Sequence, residues 1–93
     1  MKILWSVRAR REFRAIRAYI GRDSTYYADR LVGRIVTRIE TTATSPNGGH
    51  RVHEYPVTQL REIHEYPYRL IYLASGDTLH VVAIVHFKQQ LDT

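Results

Sequence analysis

The chain has 93 residues, 44% of them hydrophobic and 11% aromatic, which is enough for one folded core (1–93, a single domain) and too little for two. With no cysteine, disulfides, thiolate zinc sites, iron–sulfur clusters and thiol catalysis are excluded. A formal charge of +5, no charged-then-apolar leader and no apolar run near the ~20 residues of a membrane span point to a cytoplasmic protein with no membrane association and an acidic partner.

Residues 2–6 alternate Ile3 and Trp5 against Lys2 and Leu4, which predicts a short strand, and Ser6 is placed to cap a helix starting at Val7. Ala9, Phe13, Ile16 and Ile20 then recur in steps of four, three and four, so 7–20 reads as an amphipathic helix ending at Gly21. Ser24 is an N-cap for a second helix whose apolar face is Ala28, Leu31, Val32, Ile35 and Ile39. The short link between the two helices makes an antiparallel hairpin. Thr44-Ser45-Pro46-Asn47-Gly48-Gly49 breaks the helical pattern. Strands are expected at 60–64, 68–74 and 78–87, the last two joined through Ser75-Gly76-Asp77 as a β-hairpin. In the last strand, alternation places Val82 and Ile84 on one face and Val81, Ala83 and Val85 on the other. Apolar residues on both faces mark a central strand with helices on one side. The fold class is α+β: an N-terminal strand and a two-helix hairpin packed on a three- to four-stranded antiparallel sheet.

The charge is unevenly placed. Residues 1–40 carry ten cations against four carboxylates, a net of +6; residues 41–93 carry four against five, a net of −1. Arg10, Arg14 and Arg17 lie off the apolar stripe of the first helix, and Arg30, Arg34 and Arg38 form a four-residue-spaced stripe on the second. These arginines are a solvated helix surface or the contact face for an acidic macromolecule.

The chemistry-bearing residues give few motifs. The five histidines show no HxxxH or HExxH spacing, so no metal and no cofactor is expected. No phosphate-binding glycine loop and no nucleophile-elbow serine is present. Tyr66, Tyr68 and Tyr72 lie on strands, where they stack on bases or pack the sheet. Were the open side of the sheet to carry Arg61, Arg69 and His86, two guanidiniums and an imidazole would meet there. Such a set holds a phosphodiester, with His as acid or base and Arg stabilising the transition state. Arg69 is equally placed for a cross-strand ion pair with Glu62 or Glu65.

Taken in order, several segments form a pattern: Ile3-Leu4-Trp5-Ser6 with Ala9, Phe13-x-x-Ile16-x-x-Tyr19-Ile20, then Ser24 and Ala28. Ser45-Pro46-x-x-Gly49, Leu60-Arg61-Glu62, Tyr68 to Tyr72 and Val82-x-x-Val85-His86 continue it. The set resembles the RelE/ParE toxins of bacterial type II toxin–antitoxin modules over nearly the whole chain. The Trp-Ser opening, the Tyr-Ile end of the first helix and the Val-His ending look most like the ParE branch. That resemblance implies a toxin that inhibits DNA gyrase by protein–protein poisoning, with no catalytic residue, and a cognate antitoxin that neutralises it in a hetero-oligomer. The target- and antitoxin-binding residues would be Arg10, Arg14, Arg17, Arg30, Arg34, Arg38, Arg69, His86 and Phe87. The alternative the family implies is a RelE-like endoribonuclease acting on ribosome-bound mRNA, with Glu54, Arg61, Arg69, His86 and Lys88 as its site. In such nuclease members a terminal His works with Glu and Arg, roles that the resemblance would give to His86, Glu54 and Arg69, with Arg61 and Lys88 assisting. A third expectation is a basic binding module without toxicity.

Overall fold

Both helices start at the serines that the sequence marks. In the computed structural model, which describes residues 1–92, Ser6 Oγ accepts the Ala9 N–H at 2.9 Å and Ser24 Oγ accepts the Tyr27 N–H at 3.2 Å. In chain order the elements are β1 (Lys2–Trp5), α1 (Val7–Gly21), α2 (Thr25–Thr44), a 3₁₀ turn (Pro46–Gly48), β2 (His50–Arg51), β3 (Arg61–Glu65), β4 (Tyr68–Ser75) and β5 (Thr78–His86). Gly76 closes the β4–β5 hairpin with φ of +60°, a conformation glycine adopts without the Cβ penalty.

The expected antiparallel sheet is present as β5-β4-β3-β2, and the N-terminal strand β1 joins it: among the described residues the sheet has five strands, ordered β1-β5-β4-β3-β2, and β1 runs parallel to β5, with Lys2 opposite Thr78 and Trp5 opposite Val81. The other pairs are antiparallel. β2 is a two-residue edge that no hydrophobic pattern announces, and the parallel pairing joins residues more than seventy positions apart, beyond the reach of local periodicity.

Leu31, Ile35 and Ile39 of α2, with Ala9 of α1, pack on Leu70, Tyr72, Leu79, Val81 and Ile84. Fully burying a side chain such as Ile35 contributes about 1.5–3 kcal/mol, so the i, i+4, i+8 stripe of α2 holds the two layers together. The opposite sheet face is closed as well. Val52 and Leu91 cover Ile71, Ala83 and Val85 in a second, smaller core.

Strand β4 alternates without interruption: Leu70 and Tyr72 face the helices, Arg69 and Ile71 the other side. In β5 the alternation fails. Ile71 pairs with Ala83 but Tyr72 with Val81, so Val82 is a bulge that inverts the facing beyond it. Val81 and Ile84 therefore share the helix face, and Ala83 and Val85 the other. Two side chains at the start of α1 serve the backbone around the bulge. Ser6 Oγ donates to the Val82 carbonyl at 2.7 Å, and Glu12 Oε1 accepts the Ile84 N–H at 2.9 Å.

Candidate functional site

Arg69 sits in an apolar strand with 3% of its surface exposed, where an unpaired guanidinium would be costly. All its donor nitrogens are bonded. Nη1 and Nη2 donate to Glu54 Oε2 and Oε1 at 2.8 and 2.7 Å, Nε and Nη2 donate to Glu62, and Nη1 also reaches the Gln89 carbonyl at 3.3 Å. β3 supplies Glu62 and the loop after β2 supplies Glu54. Glu54 Oε2 also accepts the Leu91 N–H at 2.7 Å, so the cluster pins the C-terminal segment over the second core. The bond from Arg69 holds the Glu54 carboxyl down at about 2 against the opposing effect of burial, and the Leu91 N–H acts in the same direction. Arg69 is pushed further up, by Glu54 first and then Glu62.

The ion pair expected between Arg69 and Glu62 is present, with Glu54 as an additional partner that strand register does not reveal. The meeting of Arg61, Arg69 and His86 on one open face does not occur. Arg61 pairs with Tyr72 and donates from Nη1 to the Gly49 carbonyl at 2.8 Å. His86 pairs with Tyr68, its ring 5.6 Å from the tyrosine ring in an edge contact, and its Nδ1 accepts the Lys88 N–H. Both residues lie in register with the helix-facing side of β4, while Arg69 faces away. Lys88 is exposed beyond the end of β5. Of the five residues of the nuclease expectation, only Glu54 and Arg69 are in contact through their side chains, and that contact neutralises both.

Tyr72 is buried and its hydroxyl is bonded within the fold, so it offers no base-stacking face. Tyr68 is half-buried, and burial, with Tyr19 nearby, raises its hydroxyl above the ordinary value. Phe87 is exposed and continues a row of rings, 4.7 Å from His64 and 5.7 Å from Tyr66. Among the described residues, no group of three His, Asp or Glu side chains is arranged to hold a metal ion, and no helix is long and apolar enough to cross a membrane.

The helical hairpin is the charged surface. Arg10 and Arg14 are exposed, Arg17 Nη2 reaches Asp29 Oδ1 of α2 at 2.7 Å, and Arg30 lies over the Tyr26 ring at 5.5 Å. Arg34 Nε bonds Glu65 Oε1 at 3.1 Å, and Arg38 donates to the His64 carbonyl. Arginine beside exposed tyrosine is a composition that macromolecular contact surfaces favour. The geometry thus presents a basic, tyrosine-bearing hairpin on one side and a sealed ionic cluster on the other.

The chain is similar to known proteins over most of its length. The family model described as the ParE toxin of the type II toxin–antitoxin system parDE matches residues 3–91. The chain is 33% identical to the candidate toxin Y4kP of Sinorhizobium fredii over 89 residues, covering 96% of this chain and 91% of that protein. It is 31% identical over 86 residues to the toxin RelE2 of Caulobacter vibrioides, covering 91% and 93% respectively. A chain from the chromosomal ParDE toxin–antitoxin system of P. aeruginosa superposes with a TM-score of 0.74, covering 92% of this chain and 95% of that one, at 20% identity, a likeness of fold.

Proposed function

The chain belongs to the ParE toxin family of type II toxin–antitoxin systems, and on that premise we propose that it poisons DNA gyrase through protein–protein contact in the cytoplasm. Membership of such a system implies an antitoxin partner. In this reading no side chain does covalent chemistry. The exposed arginines of the hairpin, Arg10, Arg14, Arg17, Arg30, Arg34 and Arg38, and the end of β5 at His86 and Phe87 contact the target or the antitoxin. Arg69 leaves that set, because it is buried and fully bonded. The antitoxin forms a hetero-oligomer with the toxin, and its acidic residues speed association with the arginines more than they deepen affinity.

The observation that carries the proposal is the bidentate contact of Arg69 with Glu54 at 2.7 and 2.8 Å. An RNA-cleaving site on this sheet would need that arginine free to meet a phosphate and that carboxylate free to move a proton. Each instead holds the other. In a supercoiling assay with purified gyrase, the protein should inhibit the enzyme and trap cleaved DNA. Unaffected supercoiling, together with mRNA cleavage in a translation extract, overturns the proposal.

A further inference from the structure

We infer that the groove along α2 binds the phosphodiester backbone of duplex DNA. The groove encloses about 450 Å³ and is lined by Arg30, Gly33, Arg34, Thr37, Arg38 and Thr41, all on the outer side of the helix. These positions form two adjacent rows, each repeating every fourth residue. One row is three guanidiniums with successive Cα atoms about 6 Å apart along the helix axis. The other is a glycine and two hydroxyls. Glu65 adds the one carboxylate of the lining, so the groove keeps a net charge of three minus one, or +2.

The lining also selects the class of ligand. No aliphatic or aromatic side chain belongs to it. Arginine serves protein interfaces as well, but there it works beside buried aromatic anchors, and a single strand needs rings on which its bases stack. Neither has a counterpart here. Guanidinium forks and hydroxyls are the groups that take phosphate oxygens. All three forks are already oriented: Arg30 by the Tyr26 hydroxyl at 3.2 Å, Arg34 by Glu65 at 3.1 Å and Arg38 by the His64 carbonyl at 2.9 and 3.2 Å. That ordering lowers the entropy lost on binding. A Cβ at Gly33 would meet no heavy atom within 4 Å, so a phosphate can approach the helix backbone closely at the middle of the groove. This contact with DNA uses Arg30, Arg34 and Arg38, which the gyrase reading also counts among its contact residues, and it is told apart from that reading by measuring duplex binding and gyrase inhibition separately.

The test is fluorescence anisotropy of the purified protein with a short labelled DNA duplex across a salt series. Substitution of all three groove arginines, R30Q/R34Q/R38Q, is expected to weaken binding on the order of 100-fold at about 0.1 M salt and to reduce the salt slope by about 2 to 3. The variant R10Q/R11Q/R14Q removes the same charge from α1 and is expected to lose less than about tenfold. Equal losses in the two variants, no loss in the first, or tighter binding of poly-glutamate or duplex RNA than of duplex DNA each overturn the inference. Should the first variant not fold, as judged by circular dichroism, Gly33→Gln decides, since it fills the groove without touching the core; unchanged DNA affinity then overturns the inference. A protein that binds the duplex yet leaves gyrase active sustains this inference and removes the gyrase reading. Inhibition of gyrase without duplex binding does the reverse.

Discussion

Tyr72 and Gly49 lock the turn after α2 to the sheet. The Tyr72 hydroxyl accepts the Gly49 N–H at 3.0 Å and donates to the Pro46 carbonyl at 2.6 Å, while Arg61 holds the Gly49 carbonyl. With φ of −78°, Gly49 is needed for space and not for an unusual backbone angle. A Cβ there would lie 2.4 Å from the Tyr72 hydroxyl and 2.8 Å from the Glu62 carbonyl. Gly49→Ala is expected to cost about 1–3 kcal/mol by overpacking. Tyr72→Phe, which leaves the Gly49 N–H and the Pro46 carbonyl without their partner, should cost a similar amount. The two changes share one contact, so the double variant should lose less than the sum. Thermal melts of the four proteins measure this, and strict additivity would contradict the shared contact.

Arg69 gives a second prediction, one that separates structure from catalysis. Arg69→Ala leaves Glu54 and Glu62 buried without their cation, at an expected cost of about 3–5 kcal/mol. Adding Glu54→Gln and Glu62→Gln to Arg69→Gln removes the unpaired charges and should recover part of the loss, because amides can bond one another. A nuclease arginine would behave differently, losing activity while the denaturation midpoint stayed in place. Urea unfolding of these variants therefore has to accompany any toxicity assay.

Acid should weaken the same cluster. The Glu54 carboxyl titrates at about 2 in the folded protein and at 4.5 ordinarily. Above the ordinary value both states are ionised and its full contribution is present. As pH falls from about 5 through 4.5 toward 2, the unfolded chain takes up the proton first and that stability is lost, about 3 kcal/mol in all. Arg69 stays charged throughout this range and adds no slope. The difference in unfolding free energy between the parent and Glu54→Gln should therefore shrink steadily over that interval. A constant difference would place the carboxylate outside the ionic cluster.

Most of the fold that is legible in the sequence is local. The apolar steps of α1 and α2, their serine caps and the Gly76 turn depend on near neighbours, and they stand where the pattern puts them. Strand β4 alternates because no irregularity interrupts it. Strand β5 does not, since the Val82 bulge depends on where β1 ends and where α1 places Ser6 and Glu12. The same holds for the ionic cluster. Arg69 beside Glu62 is legible from neighbouring strands, but Glu54 arrives from a loop, and its entry turns an apparent phosphate-binding arginine into a sealed one. An arginine flanked by Tyr68, Leu70 and Ile71 was the available signal of a buried pair.

The bulge makes its own prediction. Glu12→Ala removes the acceptor of the Ile84 N–H, a buried group with no strand beyond β1 to satisfy it, and should cost about 1–3 kcal/mol. Ser6→Ala removes both a helix cap and the donor to the Val82 carbonyl. Ser24→Ala removes a cap alone, at an exposed site, for about 1 kcal/mol. Chemical denaturation should rank Ser6→Ala as the more damaging of the two serine changes, and the reverse order would mean that Ser6 does not join α1 to β5.

Gly33 should show stability and binding pulling apart. A glycine inside a helix costs about 0.5–1 kcal/mol relative to alanine, and no neighbour within 4 Å of a Cβ offsets that cost here. Gly33→Ala is therefore expected to raise the melting temperature by a few degrees. If the open groove is what the glycine serves, the stabilised variant should also hold duplex DNA less tightly than the parent. A gain in stability with unchanged DNA affinity would mean that the helix tolerates this glycine for no reason connected with the groove.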